Sequence, residues 1–423
     1  MSKKIYSVAI LGCGARGAET YGQLMFEKPD AYKIQAICDI SEAKLEKYGE
    51  RFAVPEADRF SELDVFFEKK RADLIVIATL DGEHVEPCIR ALSLGYDVLL
   101  EKPITEKREE CEALLEAQKK YGGKVLVCHV LRYAPAFLHV AKLIDEGTIG
   151  KLVSISATEN VAFWHQAHSF VRGNWRNRKV AAPMILAKCC HDLDLLQFYA
   201  KSRCESISSV GALTFFKEEN APEGAAARCL DCKYVDDCAY SAKRIYIDNW
   251  RVYKPANLWP HNVVTPVVPV TEEALTEGLR TGPYGRCVFR CDNDVVDHQT
   301  AQMTFENGVT ATLTMMPLTA YGGRILKFYG TYGEIVLDEE EGFIDVKKFS
   351  IPKERIKIGD LAAGGYSHGG GDYYLIETLT EVLAGEKKSE TSLENSIESH
   401  LMGICAEESR LKGGELIYLR DKR

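Results

Sequence analysis

Three glycines in the spacing Gly12-x-Gly14-x-x-Gly17 follow an apolar run, Tyr6 to Leu11, and precede helix-type spacing through Glu19 to Phe26. That order of residue types suits a dinucleotide. Gly12 permits a tight turn, Gly14 lets a pyrophosphate approach the backbone, and Gly17 lets helix and strand pack closely. The amides of Ala15, Arg16 and Gly17 at the helix start then face the phosphates. A second apolar run, Ile34 to Cys38, ends at Asp39, which lies 22 residues beyond Gly17. An acid at that distance accepts hydrogen bonds from the adenosine ribose and repels a 2′-phosphate. No Arg or Lys immediately follows it, so NAD is expected rather than NADP. A glycine turn in an unrelated α/β protein is the competing reading, and the complete unit of strand, turn, helix, strand and acid weighs against it.

The fourteen cysteines carry a second kind of chemistry. Most stand singly in apolar surroundings (Cys38, Cys88, Cys128, Cys405), where a reduced thiol is a small core residue. Cys229-x-x-Cys232-x5-Cys238 differs, and Cys287 and Cys291 follow it after a gap. A pair two residues apart with a third thiolate near fits a tetrahedral zinc shell. The surrounding segment, about residues 217–286, is irregular, charged and poor in apolar patterning. A metal staple is physically useful in such a loop. The sequence therefore predicts one structural zinc on Cys229, Cys232, Cys238 and Cys287, with Cys291 as the alternative fourth ligand. Reduced unpaired thiols and an iron–sulfur centre are the competing readings.

The elements that position these groups fall into two textures. Up to about residue 128, apolar runs alternate with amphipathic segments: Glu42 to Phe52, His84 to Leu94 and Arg108 to Tyr121. Strands buried on both faces and alternating with helices predict a parallel, doubly wound α/β sheet. Residues 129–423 read as an α+β domain. Strand-like runs at 152–160, 206–216, 299–305, 309–315, 324–329 and 333–338 come in quick succession, as in a mostly antiparallel sheet. A helical return covers Asp372 to Leu411, and the chain ends in a strand-like Glu415 to Leu419.

Glu101-Lys102-Pro103 at the end of a strand, Gly147-x-x-Gly150 opening the second domain and Gly330-Thr-Tyr-Gly-Glu resemble the Gfo/Idh/MocA family of NAD(P)-dependent oxidoreductases. The resemblance covers nearly the whole chain. It implies that Glu101 and Lys102 lie at the cofactor, with Lys102 touching both nicotinamide and substrate. It also implies that Thr79, Leu80 and His84 cover the cofactor's other side. The family's second signature, Asp-x-x-x-His followed three residues later by Asp, is matched at His191 and Asp194. It departs at the first acid, which here is Ala187 with Lys188 beside it. Either Lys188 enters the pocket as a second cation, or Asp192 or Asp297 orients His191.

Oxidising a carbinol carbon needs a base near neutrality within hydrogen-bond reach of the hydroxyl. Histidine meets this unperturbed, and lysine when its pKa is depressed by burial or a neighbouring cation. His191 is expected as proton acceptor and Lys102 as hydroxyl anchor, with exchange of the two roles open and Lys188 as the neighbouring cation. The segment from Trp164 to Arg176 sets aromatic faces beside fork-shaped donors, a composition suited to polyols and acids. His165, Arg172, Trp175, Asp192, Asp194 and His298 are therefore expected around the substrate, with His368 and Asp372 as weaker candidates.

A net charge of −9 argues against general affinity for nucleic acid or an anionic membrane. Hydrophobic residues at 46% and charged residues at 27% are those of a globular chain. No apolar run reaches the ~18 residues that a membrane helix requires. Met-Ser-Lys-Lys has no leader-like apolar run behind it, so a cytoplasmic protein is expected. Copies are expected to associate as a dimer or tetramer through the open face of the second sheet. The function expected is NAD-dependent oxidation or reduction of a sugar, polyol or related hydroxyl compound. A redox glycosidase that oxidises, eliminates and re-reduces is the first alternative, and a non-catalytic cofactor-binding sensor the second.

Overall fold

The computed structural model describes residues 4–179, 181–254, 259–267, 269–361 and 368–422. The first three residues of the N-terminus read above lie outside them. Six strands form a fully parallel sheet: β1 (Tyr6–Leu11), β2 (Tyr32–Cys38), β3 (Arg59–Phe60), β4 (Leu74–Ile77), β5 (Asp97–Leu100) and β6 (Val125–Val127). Their order is β3-β2-β1-β4-β5-β6. The Val8–Ile10 stretch and all of β4 are fully buried, as a sheet covered on both faces requires. Helices Glu42–Arg51, Val85–Ser93 and Arg108–Tyr121 occupy the amphipathic segments. The direction of winding reverses between β1 and β4. Ligands of doubly wound sheets bind at the strands' C-terminal ends at such a point. The loops after β1, β4 and β5 all open there.

Nine strands form the second sheet: β7 (Leu152–Val161), β8 (Cys204–Ala212), β9 (His298–Phe305), β10 (Thr310–Met316), β11 (Gly322–Gly330), β12 (Gly333–Asp338), β13 (Phe343–Lys348), β14 (Glu354–Lys357) and β15 (Ile417–Tyr418). Their order is β14-β13-β12-β11-β7-β10-β9-β8-β15, and only the β7–β10 pair is parallel. Strands β13 and β14 extend the sheet beyond the six runs expected. Helices Cys190–Ala200 and Leu393–Leu411 pack on one face. The opposite face presents hydroxyls, with Thr310 bonded to Ser154 and Thr312 to Ser156 across the β7–β10 pair.

Two features depart from the two-texture reading. The return is a pair of helices, and the first, Gly371–Ala384, buries Leu375, Ile376 and Leu379 in one cluster with Val8 and Ile10. Tyr32 Oη donates to the Ile376 carbonyl at 2.8 Å beside it. A parallel sheet needs cover on both faces, and this late segment supplies part of it, so the packing crosses the division at residue 128. The segment between β8 and β9 is also not bare of core. Phe216, Tyr246, Ile247, Leu275 and Leu279 form an apolar cluster of their own against Val171. Its helix Glu272–Thr281 is capped by Thr271 Oγ1, which accepts the Ala274 amide at 3.2 Å.

Candidate functional site

The glycine turn has the geometry that its residue types demand. Gly12 has φ +90°, and a Cβ there would stand 2.4 Å from the Ala78 carbonyl oxygen. A Cβ on Gly17 would stand 2.0 Å from the Gly12 carbonyl, so helix and turn meet only because both are glycine. A Cβ on Gly14 would meet nothing within 4 Å, leaving open ground beside a helix that starts at Ala15. That is the cradle a pyrophosphate occupies. Asp39 is buried at the tip of β2, where its carboxylate accepts the amides of Cys13 at 2.8 Å and Ser41 at 2.9 Å. Lys44 Nζ lies 3.3 Å from the same carboxylate, a cation that the residues next to Asp39 did not announce. These residues fit NAD.

Arg16 turns back from the turn into the protein. It pairs with Glu101 at 2.6 Å and with Asp372 at 2.6 Å. Although both acids are buried, Arg16 holds their carboxyls below the usual range, with Lys102 adding to the pull on Glu101 and His368 to that on Asp372. The network fixes the loop that carries Lys102. His84 braces the same loop: Nδ1 lies 2.7 Å from the Pro103 carbonyl and Nε2 3.3 Å from that of Thr79. Its ring thus ties the loop after β4 to the loop after β5, while Leu80 between them is exposed. Thr79 Oγ1 donates to Glu83 O at 2.8 Å.

Lys102 Nζ donates to the Ala187 carbonyl at 3.2 Å, the position where the resemblance leads one to expect an acid. His191 lies in the first turn of the helix Cys190–Ala200, buried, with Nδ1 unpartnered among the described residues. Burial pushes its pKa well below the usual value, and Lys102, His129, His368 and Arg324 push it the same way. His165 is depressed likewise, by burial and by Lys188, His168 and Lys102. Lys102, Lys188, His165 and His191 are therefore within electrostatic reach of one another's neighbourhood.

Neither proposed substitute for the missing acid orients His191. Asp192 points to Arg324, Nε to Oδ1 at 2.7 Å. Asp297 accepts the amides of Thr214 at 2.8 Å and Phe215 at 2.6 Å, and pairs with the half-exposed His298 at 2.9 Å. Lys188 pairs with Glu159 at 2.8 Å, and Arg324 reaches Glu159 at 3.1 Å. Glu159 and Arg324 are register partners on β7 and β11. The sequence reading missed both, though each is a charge on the inward phase of a strand.

The remaining candidates separate. Asp194 is spent on Arg132, bonded at 2.7 and 2.8 Å. Trp175 Nε1 donates to Asp81 at 3.1 Å, in the loop after β4. Arg172 points away from Lys102 into the insertion, donating to Arg286 O at 2.7 Å and Tyr240 O at 2.8 Å, so its expected place at the substrate is corrected. His165 stays on the Lys102 side, packed against Trp164 and Trp259.

The closed zinc shell is also not formed. Among the described residues, no three His, Cys, Asp or Glu side chains are arranged to hold a metal ion. Cys229, Cys232, Cys238 and Cys287 instead ring a small cavity, and Cys291 is not among its lining residues. The spacing placed the four thiols together but gave no measure of how far apart they stand.

Residues 6–129 match the family described as an oxidoreductase family with an NAD-binding Rossmann fold, and residues 141–413 match its C-terminal alpha/beta domain. The chain is 24% identical over 401 residues to a putative oxidoreductase, YteT, of Bacillus subtilis, covering 88% of each chain. It is 26% identical over 262 residues to the 2,7-anhydro-N-acetylneuraminate hydratase of Mediterraneibacter gnavus, covering 62% of this chain and 64% of that one. A solved levoglucosan dehydrogenase, in complex with NADH and levoglucosan, shares the fold with a TM-score of 0.71, at 16% identity over 98% of this chain and 99% of that one.

Proposed function

Because the chain belongs to the Gfo/Idh/MocA oxidoreductase family, we propose that it moves hydride between NAD and a hydroxyl-bearing carbon of a sugar or polyol, with Lys102 and His191 at the reacting carbon. The observation that carries this reading is the convergence of the Lys102 ammonium and the buried His191 ring at the C-terminal end of the parallel sheet. When bound, the nicotinamide supplies the hydride acceptor or donor. The chain's residues do the rest. Lys102 donates a hydrogen bond to the substrate oxygen and holds it in place. His191 takes the hydroxyl proton: burial and its positive neighbours keep the ring neutral and free to accept. They also depress its basicity below the near-neutral optimum, which leaves exchange of roles with Lys102 open. The Glu159–Lys188–Arg324–Asp192 cluster anchors the segment that carries His191, and Lys188 offers a second donor to the substrate. His165 and Trp164 supply a ring face and a nitrogen to a sugar.

A second reading keeps a specific support. One relative is named a hydratase, and Lys102, Lys188 and His165 give this site more than one proton carrier. Transient oxidation, elimination or hydration, and return of hydride would need them. One experiment separates the readings: a panel of sugars, anhydrosugars and polyols is incubated with enzyme and NAD. Stoichiometric NADH supports net oxidation, and product formation without net NADH supports the redox-neutral route. Binding of NAD without turnover of any substrate class would leave the sensor.

The finer features follow from the same reading. NAD is favoured over NADP through Asp39. A cytoplasmic location belongs to the same proposal. No helix among the described residues is long and apolar enough to cross a membrane. The hydroxyl-lined face of the nine-stranded sheet, with Val153 and Val210 exposed on it, supports homo-oligomeric pairing, which sedimentation of the purified chain checks.

A further inference from the structure

The insertion brings four thiols around one cavity by backbone means. The Cys232 amide donates to Cys229 O at 3.2 Å, and the Cys238 amide donates to Tyr234 O at 2.9 Å. An antiparallel bridge joins Arg228 to Arg286, and the Cys287 amide donates to Ala227 O at 2.9 Å, which sets Cys287 beside Cys229. The cavity between them measures about 30 Å³, where one water needs about 10–15 Å³. Apart from the thiols and Arg172, its wall includes Pro222, Ala225, Val288 and Phe289.

Arg172 decides what the cavity is for. Its side chain is fully buried and lines this wall. Nη2 lies 3.4 Å from Cys229 Sγ, while Nη1 is buried and has no hydrogen-bond partner among the described residues. Its other partners are the Arg286 and Tyr240 carbonyls and the neutral Tyr246 hydroxyl, none of them an anion. A guanidinium keeps its proton, so a charge buried this way calls for an anion beside it. The cavity is where that anion fits, and the cysteine sulfurs are the groups that face it.

A single divalent ion with four thiolates would carry the right charge but pulls its sulfurs into a closed shell. The four side chains are not arranged that way. A [4Fe–4S] core on four thiolates carries the same net charge, holds its cysteines further apart and accepts hydrogen bonds on its sulfurs. We propose that Cys229, Cys232, Cys238 and Cys287 hold a [4Fe–4S] cluster, with Arg172 Nη1 as its buried hydrogen-bond donor. Its role is positioning. Arg172 ends the helix Gln166–Arg172, which follows directly on His165, so the cluster fixes the substrate-side aromatic segment to the insertion without taking part in hydride transfer.

The test is to purify the full chain without oxygen and measure iron, acid-labile sulfide and zinc, with visible absorption and electron paramagnetic resonance after dithionite reduction. About four irons and four sulfides per chain are expected, lost in Cys229→Ser/Cys287→Ser and retained in Cys291→Ser. NAD binding by the double variant serves as its folding control, and the wild-type iron and sulfide content decides the matter even if that variant fails to fold. One zinc per chain without sulfide would overturn the proposal. So would freely titrating thiols after anaerobic reconstitution with ferrous iron and sulfide, or equal iron in the double variant.

Discussion

Arg132→Leu isolates the buried pair that Arg132 forms with Asp194 on the helix Cys190–Ala200. Arg132 and Asp194 are both buried and joined by two hydrogen bonds, Nε to Oδ2 at 2.7 Å and Nη2 to Oδ1 at 2.8 Å. Removing the guanidinium leaves the carboxylate with His129 Nε2, 4.0 Å away, as its remaining basic neighbour among the described residues. Breaking such a pair on one side costs about 3–5 kcal/mol, because a buried charge is left uncompensated. Arg132→Leu/Asp194→Leu removes both charges and should regain most of the loss. Urea unfolding followed by tryptophan fluorescence, for wild type and both variants, measures both effects. Arg132 also donates to Glu390 O at 3.2 Å and lies over Phe198, 5.0 Å from the ring centroid. Equal loss in single and double variants would mean that those contacts carry the stability, and the charge argument would be refuted.

Asp39→Ser should weaken NAD and narrow its lead over NADP, because an acceptor is lost and Lys44 is freed for a 2′-phosphate; unchanged NAD affinity in a fluorescence titration would remove Asp39 from the cofactor site. Lys102→Ala and His191→Ala should each lower turnover by about 10²-fold or more with NAD binding kept. Wild-type turnover in His191→Ala would return that ring to the structure and leave Lys102 or Lys188 as the base. Burial pushes His168 down to about 3, helped by Arg172 and His261, and pushes His400 down to about 3, helped by His129. Above the unfolded value of about 6.5 their contribution is fully present. As pH falls below it the unfolded chain takes protons that the folded chain refuses, so from about pH 8 to about pH 5 the two together should cost about 4 kcal/mol. A midpoint of unfolding that does not fall over that range would show that these rings are not buried neutral.

The parallel sheet was legible because its signals are local. Each buried strand reads as a continuous apolar run, as in Leu74–Ile77, and each amphipathic partner as a period near four, so Arg108–Tyr121 appears with the bounds its spacing implies. The cover on that sheet was not legible. Leu375, Ile376 and Leu379 have helical spacing, but nothing in spacing says that they pack on Val8 and Ile10, several hundred residues earlier. Strands β13 and β14 escaped because charge interrupts them: Asp345, Lys347 and Arg355 stand within, and Asp345 pairs with Arg355 across the register.

For the site, residue type announced chemistry but not direction. Lys102 and His191 are named by motif position alone, the first by Glu101-Lys102-Pro103 and the second by its spacing to Asp194. Arg172 was assigned to substrate on its fork-shaped donors and its aromatic neighbours, yet the helix Gln166–Arg172 turns it toward Cys229. Glu159 and Arg324 had a signal that passed unused. In β7 the buried phase runs through Ile155, Ala157 and Val161, and Glu159 falls on it; in β11 it runs through Leu326 and Phe328, and Arg324 falls on it. A charge on the inward phase of a strand must find a partner there or cost the fold several kcal/mol, of order 3–5 when unpaired. Two such residues of opposite sign on paired strands therefore predict each other, and Lys188 and Asp192 complete the charge pairing around them.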